Sequence, residues 1–162
     1  MITFNYSKNF TVDQIIKLFK SVEWESANYP EKIFKSLKNS ETVITLYDEN
    51  NLIGLMSAIS DGGMNVYFPY LLIDPEYHGK GLGKITVEKM LEKYGGFYRK
   101  ILVCSNEKVP FYTKCGMTVP EDQLPMMKIN WTLCHFPEEN IVYRVNSIKP
   151  EGNYEYKSLF FR

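Results

Sequence analysis

The chain has 162 residues, a length that points to one domain with a sizeable core. Hydrophobic residues make up 44% and charged residues 23%, and 19 Lys plus Arg balance 19 Asp plus Glu, so a strongly basic nucleic-acid binder and a polybasic membrane surface are both excluded. No run approaches the roughly 18 uninterrupted apolar residues of a membrane span, and no charged segment followed by an apolar run opens the sequence, so neither a span nor a secretory signal is expected. In chain order, residues 2–6 read as a short strand. Thr11 then caps a helix whose Val12, Ile15, Ile16 and Phe19 recur at i, i+3, i+4 and i+7. Pro30 suits the first turn of a second helix with Ile33, Phe34 and Leu37 inward. Thr42 to Tyr47 and Leu52 to Ile59 are β-branched or apolar runs separated by Asp48-Glu49-Asn50-Asn51, a hairpin pattern. Asp61-Gly62-Gly63 makes a second turn, and Val66 to Ile73 is the third strand of an antiparallel meander.

A glycine-rich loop follows, then a helix with Val87, Met90, Leu91 and Tyr94 inward that Gly95-Gly96 stops. Ile101 to Cys104 reads as a short buried strand, and Pro110 opens a helix carrying Phe111 and Tyr112 that Gly116 ends. Strand–helix–strand over residues 66–104 is a βαβ crossover, which predicts a parallel pair there. The fold class is therefore α/β of the α+β kind: a mixed, mostly antiparallel sheet with helices on both faces. Trp131 to Phe136, Ile141 to Ile148 and Tyr154 to Phe161 alternate as strands do. This tail covers a sheet edge, extends the sheet, or pairs with a second subunit in a homodimer.

Cys104, Cys115 and Cys134 fit no metal-ligand spacing, and His78 and His135 are the only histidines, so no metal is expected and the chain reads as a reduced, cytoplasmic protein. Cys104 and Cys115 are expected to pack as small buried residues.

The chemistry concentrates in Ile73-Asp74-Pro75-Glu76-Tyr77-His78-Gly79-Lys80-Gly81-Leu82-Gly83-Lys84. A strand ends at Ile73 and a helix begins near Gly81. The first turn of a helix has free N–H groups and the positive end of the dipole. Gly79, Gly81 and Gly83 let that backbone approach a ligand, and Lys80 and Lys84 add positive charge, so the segment is an anion site suited to a phosphate. A P-loop fails because Ile85 follows Gly83-Lys84 and His78 stands where its first glycine belongs. A dinucleotide fingerprint fails because the glycines alternate and lack the wider second gap. Pro69 is a separate clue: proline is poorly tolerated in a central strand except at a bulge or an unpaired edge.

His78-Gly79-Lys80-Gly81-Leu82-Gly83 resembles the acetyl-CoA motif of the GCN5-related N-acetyltransferase (GNAT) superfamily, with His78 in place of the usual Gln or Arg. Asn106 followed by Val109-Pro110-Phe111-Tyr112-Thr113-Lys114-Cys115-Gly116-Met117 is similar to a second element of that family, at the right separation. Leu18 to Trp24 is loosely similar to the family's bacterial small-molecule members. The resemblance covers roughly residues 1–128, implied to be the acetyl-CoA-binding core, with 129–162 a β-rich extension of the same domain. It implies a sheet splayed between its fourth and fifth strands and an acetyl-CoA-dependent N-acetyltransferase acting on a primary amine of a small molecule. The backbone of Gly79, Lys80, Gly81, Leu82, Gly83 and Lys84 would hold the pyrophosphate, and Leu71, Leu72 and Ile73 would pair with the pantetheine arm. Asn106 would bond the pantetheine, and Tyr112 would protonate the departing thiolate. A main-chain N–H around Leu72 would meet the oxyanion. Relatives carry an acidic base on the fourth strand, where Pro69 and Tyr70 stand here. Glu23, Glu25, Asp61 and Tyr70 are the alternatives, Glu23 first among them, with Trp24 and Tyr70 lining the acceptor pocket. A non-catalytic acyl-CoA-binding regulatory module is the other reading.

Overall fold

The computed structural model describes residues 1–128, and the strand patterns beyond Trp131, with Cys134 and His135, lie outside the described residues. Five strands, β1 (Ile2–Asn5), β2 (Thr42–Asp48), β3 (Asn51–Ser60), β4 (Asn65–Ile73) and β5 (Arg99–Ile101), lie in that order across one sheet. Every neighbouring pair is antiparallel except β4 and β5, which run parallel as the crossover requires. The helices are α1 (Val12–Ser21), α2 (Pro30–Asn39), α3 (Leu82–Lys93) and the short α4 (Val109–Thr113).

Alternation along the strands feeds two cores. On one face, Ile15, Leu18 and Phe19 of α1 and Ile33 and Leu37 of α2 pack on Val43, Leu55 and Leu72. On the other, Leu82, Val87 and Met90 of α3 pack on Ile44, Leu46, Met56 and Val66. The buried stripe of α1 is Ile15, Leu18 and Phe19, with Val12 and Ile16 only half-buried, so the helix is rotated from the pattern read along the sequence. The Thr11 hydroxyl accepts from the Gln14 N–H at 3.2 Å and Gln14 Oε1 accepts from the Thr11 N–H at 3.0 Å, a reciprocal cap. Helix α3 stops at Tyr94 without a left-handed glycine, since Gly95 and Gly96 keep negative φ.

Strand β4 carries the feature that Pro69 predicts. Ser57 pairs with Tyr70 and Ile59 with Tyr67, so Ala58 alone faces Phe68 and Pro69. This is a β-bulge. It inverts the alternation of β4: Val66 and Phe68 point to the α3 core, yet so do Leu71 and Ile73, while Tyr70 and Leu72 join the α1 core. The parallel ladder with β5 runs from Asn65 opposite Arg99 to Tyr67 opposite Ile101 and ends there. Beyond it the two strands separate. The buried strand expected over Ile101 to Cys104 is accordingly displaced to Arg99–Ile101, and residues 102–104 form no strand. Val103 stays 42% exposed because it borders an opening in the sheet instead of a core.

Candidate active site

The opening between β4 and residues 102–105 widens into a cleft of ≈ 1240 Å³. At one end lies the glycine loop at the start of α3, in the middle the free edge of β4, and at the other end Glu23 and Trp24 from the end of α1.

The loop is built to leave main-chain donors exposed. Asp74 accepts from the Glu76 N–H at 3.0 Å and starts a single 3-10 turn over Pro75–Tyr77. Gly79 and Gly81 both sit at φ +75°, a left-handed conformation that a side chain resists, and a Cβ at either would meet nothing within 4 Å. The first α3 hydrogen bond is Ile85 N–H to Gly81 O at 3.1 Å, so the N–H groups of Leu82, Gly83 and Lys84 have no acceptor within the helix. No acidic residue occupies that first turn. Gly83 serves differently: a Cβ there would make ordinary contacts with the Phe111 ring at 3.4 Å and Ile73 at 3.7 Å, so this position lies where α4 packs beside α3. Lys84 pairs with Glu88 at 3.6 Å on the surface, and Lys80 lies over the Tyr77 ring at 4.4 Å, outside the cleft lining.

His78 has a definite partner. Its Nε2 lies 2.7 Å from the Ile73 carbonyl. A carbonyl only accepts, so Nε2 carries the hydrogen and the ring ties the loop to the end of β4.

The edge of β4 can be read group by group. The Asp74 N–H donates to Ile53 O at 2.8 Å, toward β3. Main-chain groups alternate in direction along a strand, so those of Leu72 and Tyr70 also turn to β3, while those of Leu71 and Ile73 turn to the cleft. The expectation of a free donor around Leu72 therefore moves one residue, to Leu71.

Tyr112, on α4, borders the cleft with Cys104 and Ser105. Burial pushes its phenol up to about 12, and the neighbouring Cys104 and Cys115 thiols add to the effect. The Phe111 ring lies edge-on to it at 4.9 Å. Cys115 is buried as expected, whereas Cys104 is only half-buried and forms cleft wall instead of strand core. Asn106 is exposed at the start of the 3-10 turn Asn106–Lys108 and does not line the cleft. Lys108 does, and the sequence pattern missed it. Its signal was position: it stands four residues before Tyr112, hence on the same side of the turn.

At the far end, α1 terminates in a Schellman motif. Trp24 N–H donates to Phe19 O and Glu23 N–H to Lys20 O, each at 3.1 Å, with the Trp24 and Phe19 rings in contact at 6.1 Å. Glu23 occupies the left-handed position at φ 54°, where glycine is usual, and borders the cleft. Tyr70 does not border it. Its ring packs against Phe19 at 5.3 Å and Trp24 at 5.6 Å, and burial raises its phenol pKa, with Tyr67 adding to the rise. Tyr70 thus supports Trp24 from beneath. Asp61 is committed elsewhere: its carboxylate accepts from the N–H groups of Gly63, Met64 and Asn65 and from the Asn65 side chain, which holds its pKa far below the usual carboxylate range. Glu25 opens a 3-10 turn away from the cleft lining.

Residues 10–117 match the model of the acetyltransferase (GNAT) family. The chain belongs to the GNAT family. An uncharacterized N-acetyltransferase, ycf52, of Pyropia yezoensis is 28% identical over 122 residues, covering 72% of this chain and 70% of that one. Glucosamine 6-phosphate N-acetyltransferase of Arabidopsis thaliana is 44% identical over 50 residues, covering 30% of this chain and 34% of that one. A GNAT-family acetyltransferase from Streptococcus pneumoniae has the same fold, with a TM-score of 0.71 and 23% identity over 80% of this chain and 98% of that one. The splayed sheet, the glycine loop and the α4 tyrosine are thus features of a GNAT chain whose fourth strand carries no carboxylate at the cleft. No helix among the described residues is long and apolar enough to cross a membrane.

Proposed function

We propose that this GNAT chain moves an acetyl group from acetyl-CoA to a primary amine of a small molecule by direct attack. The observation that carries the reading is the cleft itself. One continuous trough joins the free α3 donors, the open β4 edge, the Tyr112 phenol and the Glu23 carboxylate. The N–H groups of Leu82, Gly83 and Lys84 suit a pyrophosphate, and Lys108 adds a cation at the mouth. Leu71 and Ile73 offer main-chain groups to an extended, amide-bearing arm, with the Ile73 carbonyl already engaged by His78. Asn106, exposed beside the mouth, would reach that arm only from outside the lining.

In this reading Glu23 takes a proton from the ammonium, and the freed amine attacks the thioester carbon. The Leu71 N–H stabilises the oxyanion as the C–N bond forms. The C–S bond breaks, Tyr112 gives its proton to the leaving thiolate, and the second proton that the nitrogen sheds as the amide forms returns to the tyrosinate. A phenol near 12 is a weak donor to a thiolate in water, but the same desolvation raises the thiolate's proton affinity and narrows the gap. Trp24, braced by Tyr70, forms the acceptor wall. The free thiols of Cys104 and Cys115 suit a reducing, cytoplasmic setting.

The test is CoA release from acetyl-CoA across a panel of amines, for wild type and Tyr112→Phe. Turnover with at least one amine, slowed about 10²-fold or more by the substitution, is expected. Turnover unaffected by Tyr112→Phe removes the proposed acid. The absence of a carboxylate on β4 favours one second reading, a non-catalytic acyl-CoA-binding regulatory module. Tight acetyl-CoA binding without turnover on any amine would establish that reading instead.

A further inference from the structure

The donor half of the cleft presents two separate surfaces, the free N–H groups at the start of α3 and the open edge of β4. The chain that joins them, residues 74–81, is short and sharply bent. His78 at φ −64°, ψ 158° followed by Gly79 at φ +75° has the dihedrals of a type II turn, and Gly81 repeats the left-handed value. Gly79, Lys80 and Gly81 are all exposed, and the next buried anchor is Leu82. On the side away from the cleft the loop is held by the Tyr77 hydroxyl, which donates to Asp48 at the end of β2 at 3.0 Å. On the cleft side it is held by His78, whose Nε2 lies 2.7 Å from the Ile73 carbonyl oxygen. Among the described residues this is the only side-chain hydrogen bond from the loop to β4.

That carbonyl belongs to the edge a ligand would read. The Asp74 N–H, across the same trans peptide, points to Ile53 of β3, so the Ile73 oxygen points to the cleft. His78 therefore grips the last cleft-facing carbonyl of β4 and, through its own backbone, the turn that leads into the α3 donors. The oxygen has two lone pairs, so one remains for a ligand. A ligand with an anionic end and an amide-bearing arm gains from the link between them only if both surfaces keep the spacing its covalent chain requires. We propose that His78 is a positioning residue for the acyl donor: its bond to Ile73 fixes the spacing between the phosphate loop and the β4 edge, so that both ends of one CoA molecule engage together. This rests on the acetyl-CoA part of the reading above and deepens it. The role needs a donor of the right reach, not an imidazole, and a glutamine carries its amide nitrogen the same number of bonds from Cα.

The test compares wild type, His78→Ala and His78→Gln in binding three ligands: CoA, ADP as its pyrophosphate end, and pantetheine as its arm. Calorimetry reads CoA directly, and displacement of CoA reads the two fragments. His78 is exposed, so both variants are expected to fold, which circular dichroism checks. His78→Ala is expected to weaken CoA about three- to tenfold, the range of one lost hydrogen bond, with ADP and pantetheine each within about twofold of wild type. His78→Gln is expected to restore CoA binding to within about twofold. In turnover, the acetyl-CoA KM of His78→Ala should rise with the CoA Kd while kcat holds. CoA affinity unchanged in folded His78→Ala overturns the proposal. So does an equal loss for ADP alone, which would make His78 a direct phosphate ligand or a mere brace of the loop, and so does a glutamine variant that behaves as alanine does. CoA binding without turnover on any amine overturns acetyl transfer, yet the binding comparison still decides the role of His78. Failure of the wild type to bind CoA overturns both.

Discussion

Glu23 offers a perturbation in which stability and activity should move in opposite directions. It holds the left-handed residue after α1 at φ 54°, where an L side chain is strained by about 1–2 kcal/mol. Glu23→Gly removes that strain but adds unfolded-chain entropy of about 0.4–1 kcal/mol. The net is a stabilisation of about 0.5–1 kcal/mol. For a chain of this size that raises Tm by about 1–4 °C. The Schellman bonds from Glu23 and Trp24 are main-chain bonds and survive the change. If the carboxylate takes the amine's proton, kcat/KM should nevertheless fall by about 10²–10⁴-fold. Glu23→Gln keeps the strained backbone and removes only the base, so its Tm should match wild type while its activity falls as far. Thermal unfolding of the free protein and CoA-release kinetics read the two effects separately. A lower Tm for Glu23→Gly would show that the side chain braces the helix end. Activity within twofold of wild type in both variants would reduce Glu23 to a helix terminator, because strain retained without function has no use at this position.

Three further outcomes follow from the same geometry. Since burial holds the Tyr112 phenol up to about 12, its proton is in place throughout the working range; kcat should rise with pH to a plateau and show no falling limb below about pH 11, and a fall near pH 8–9 would assign the acid elsewhere. The depressed Asp61 carboxylate contributes stability above its ordinary unfolded pKa of about 3.9 and loses it as pH falls through the lower folded value, so Asp61→Ala should lower Tm at pH 7 and the gap to wild type should close toward pH 2 in thermal scans. Gly81→Ala forces a side chain into φ +75° and should cost about 1–2 kcal/mol together with CoA affinity, whereas Gly83→Ala meets Phe111 at an ordinary 3.4 Å and should be milder in both calorimetry and unfolding; the reverse order would contradict the division of labour between these glycines.

Much of this molecule is written locally. The Thr11 cap, the Asp61 turn and the crossover from β4 through α3 each depend on residues close together in sequence, and each forms as its pattern implies. Pro69 announces the bulge because a missing N–H is a local fact. What the pattern could not show is the consequence of that bulge. An apolar run such as Ile101 to Cys104 has the same composition whether it is core or cleft wall, and only the loss of its partner strand decides. Tyr70 was expected in the pocket because it stands where relatives carry a carboxylate, but the inverted alternation turns it under Trp24. Glu23 stood first among the candidate bases, but nothing in the letters Val22-Glu23-Trp24 marks its left-handed backbone.

The bulge joins these observations into one cause. A regular β4 would keep Val66, Phe68, Tyr70 and Leu72 on a single face, and all four would enter the α3 core. Tyr70 would then leave Phe19 and Trp24 without support. A regular β4 would also interchange which main-chain groups turn to β3, so that Leu72 instead of Leu71 would face the cleft. The extra residue shifts both at once, and it lies immediately beyond the last rung of the β4–β5 ladder, at Tyr67 opposite Ile101. A bulge coils and twists the strand that carries it, so β4 leaves β5 at the point where its alternation inverts. The cleft and the main-chain donor at Leu71 are therefore geometrically coupled. A single-residue irregularity whose position is set by Pro69 opens the sheet beside β4 and, on its other face, turns Tyr70 under Trp24.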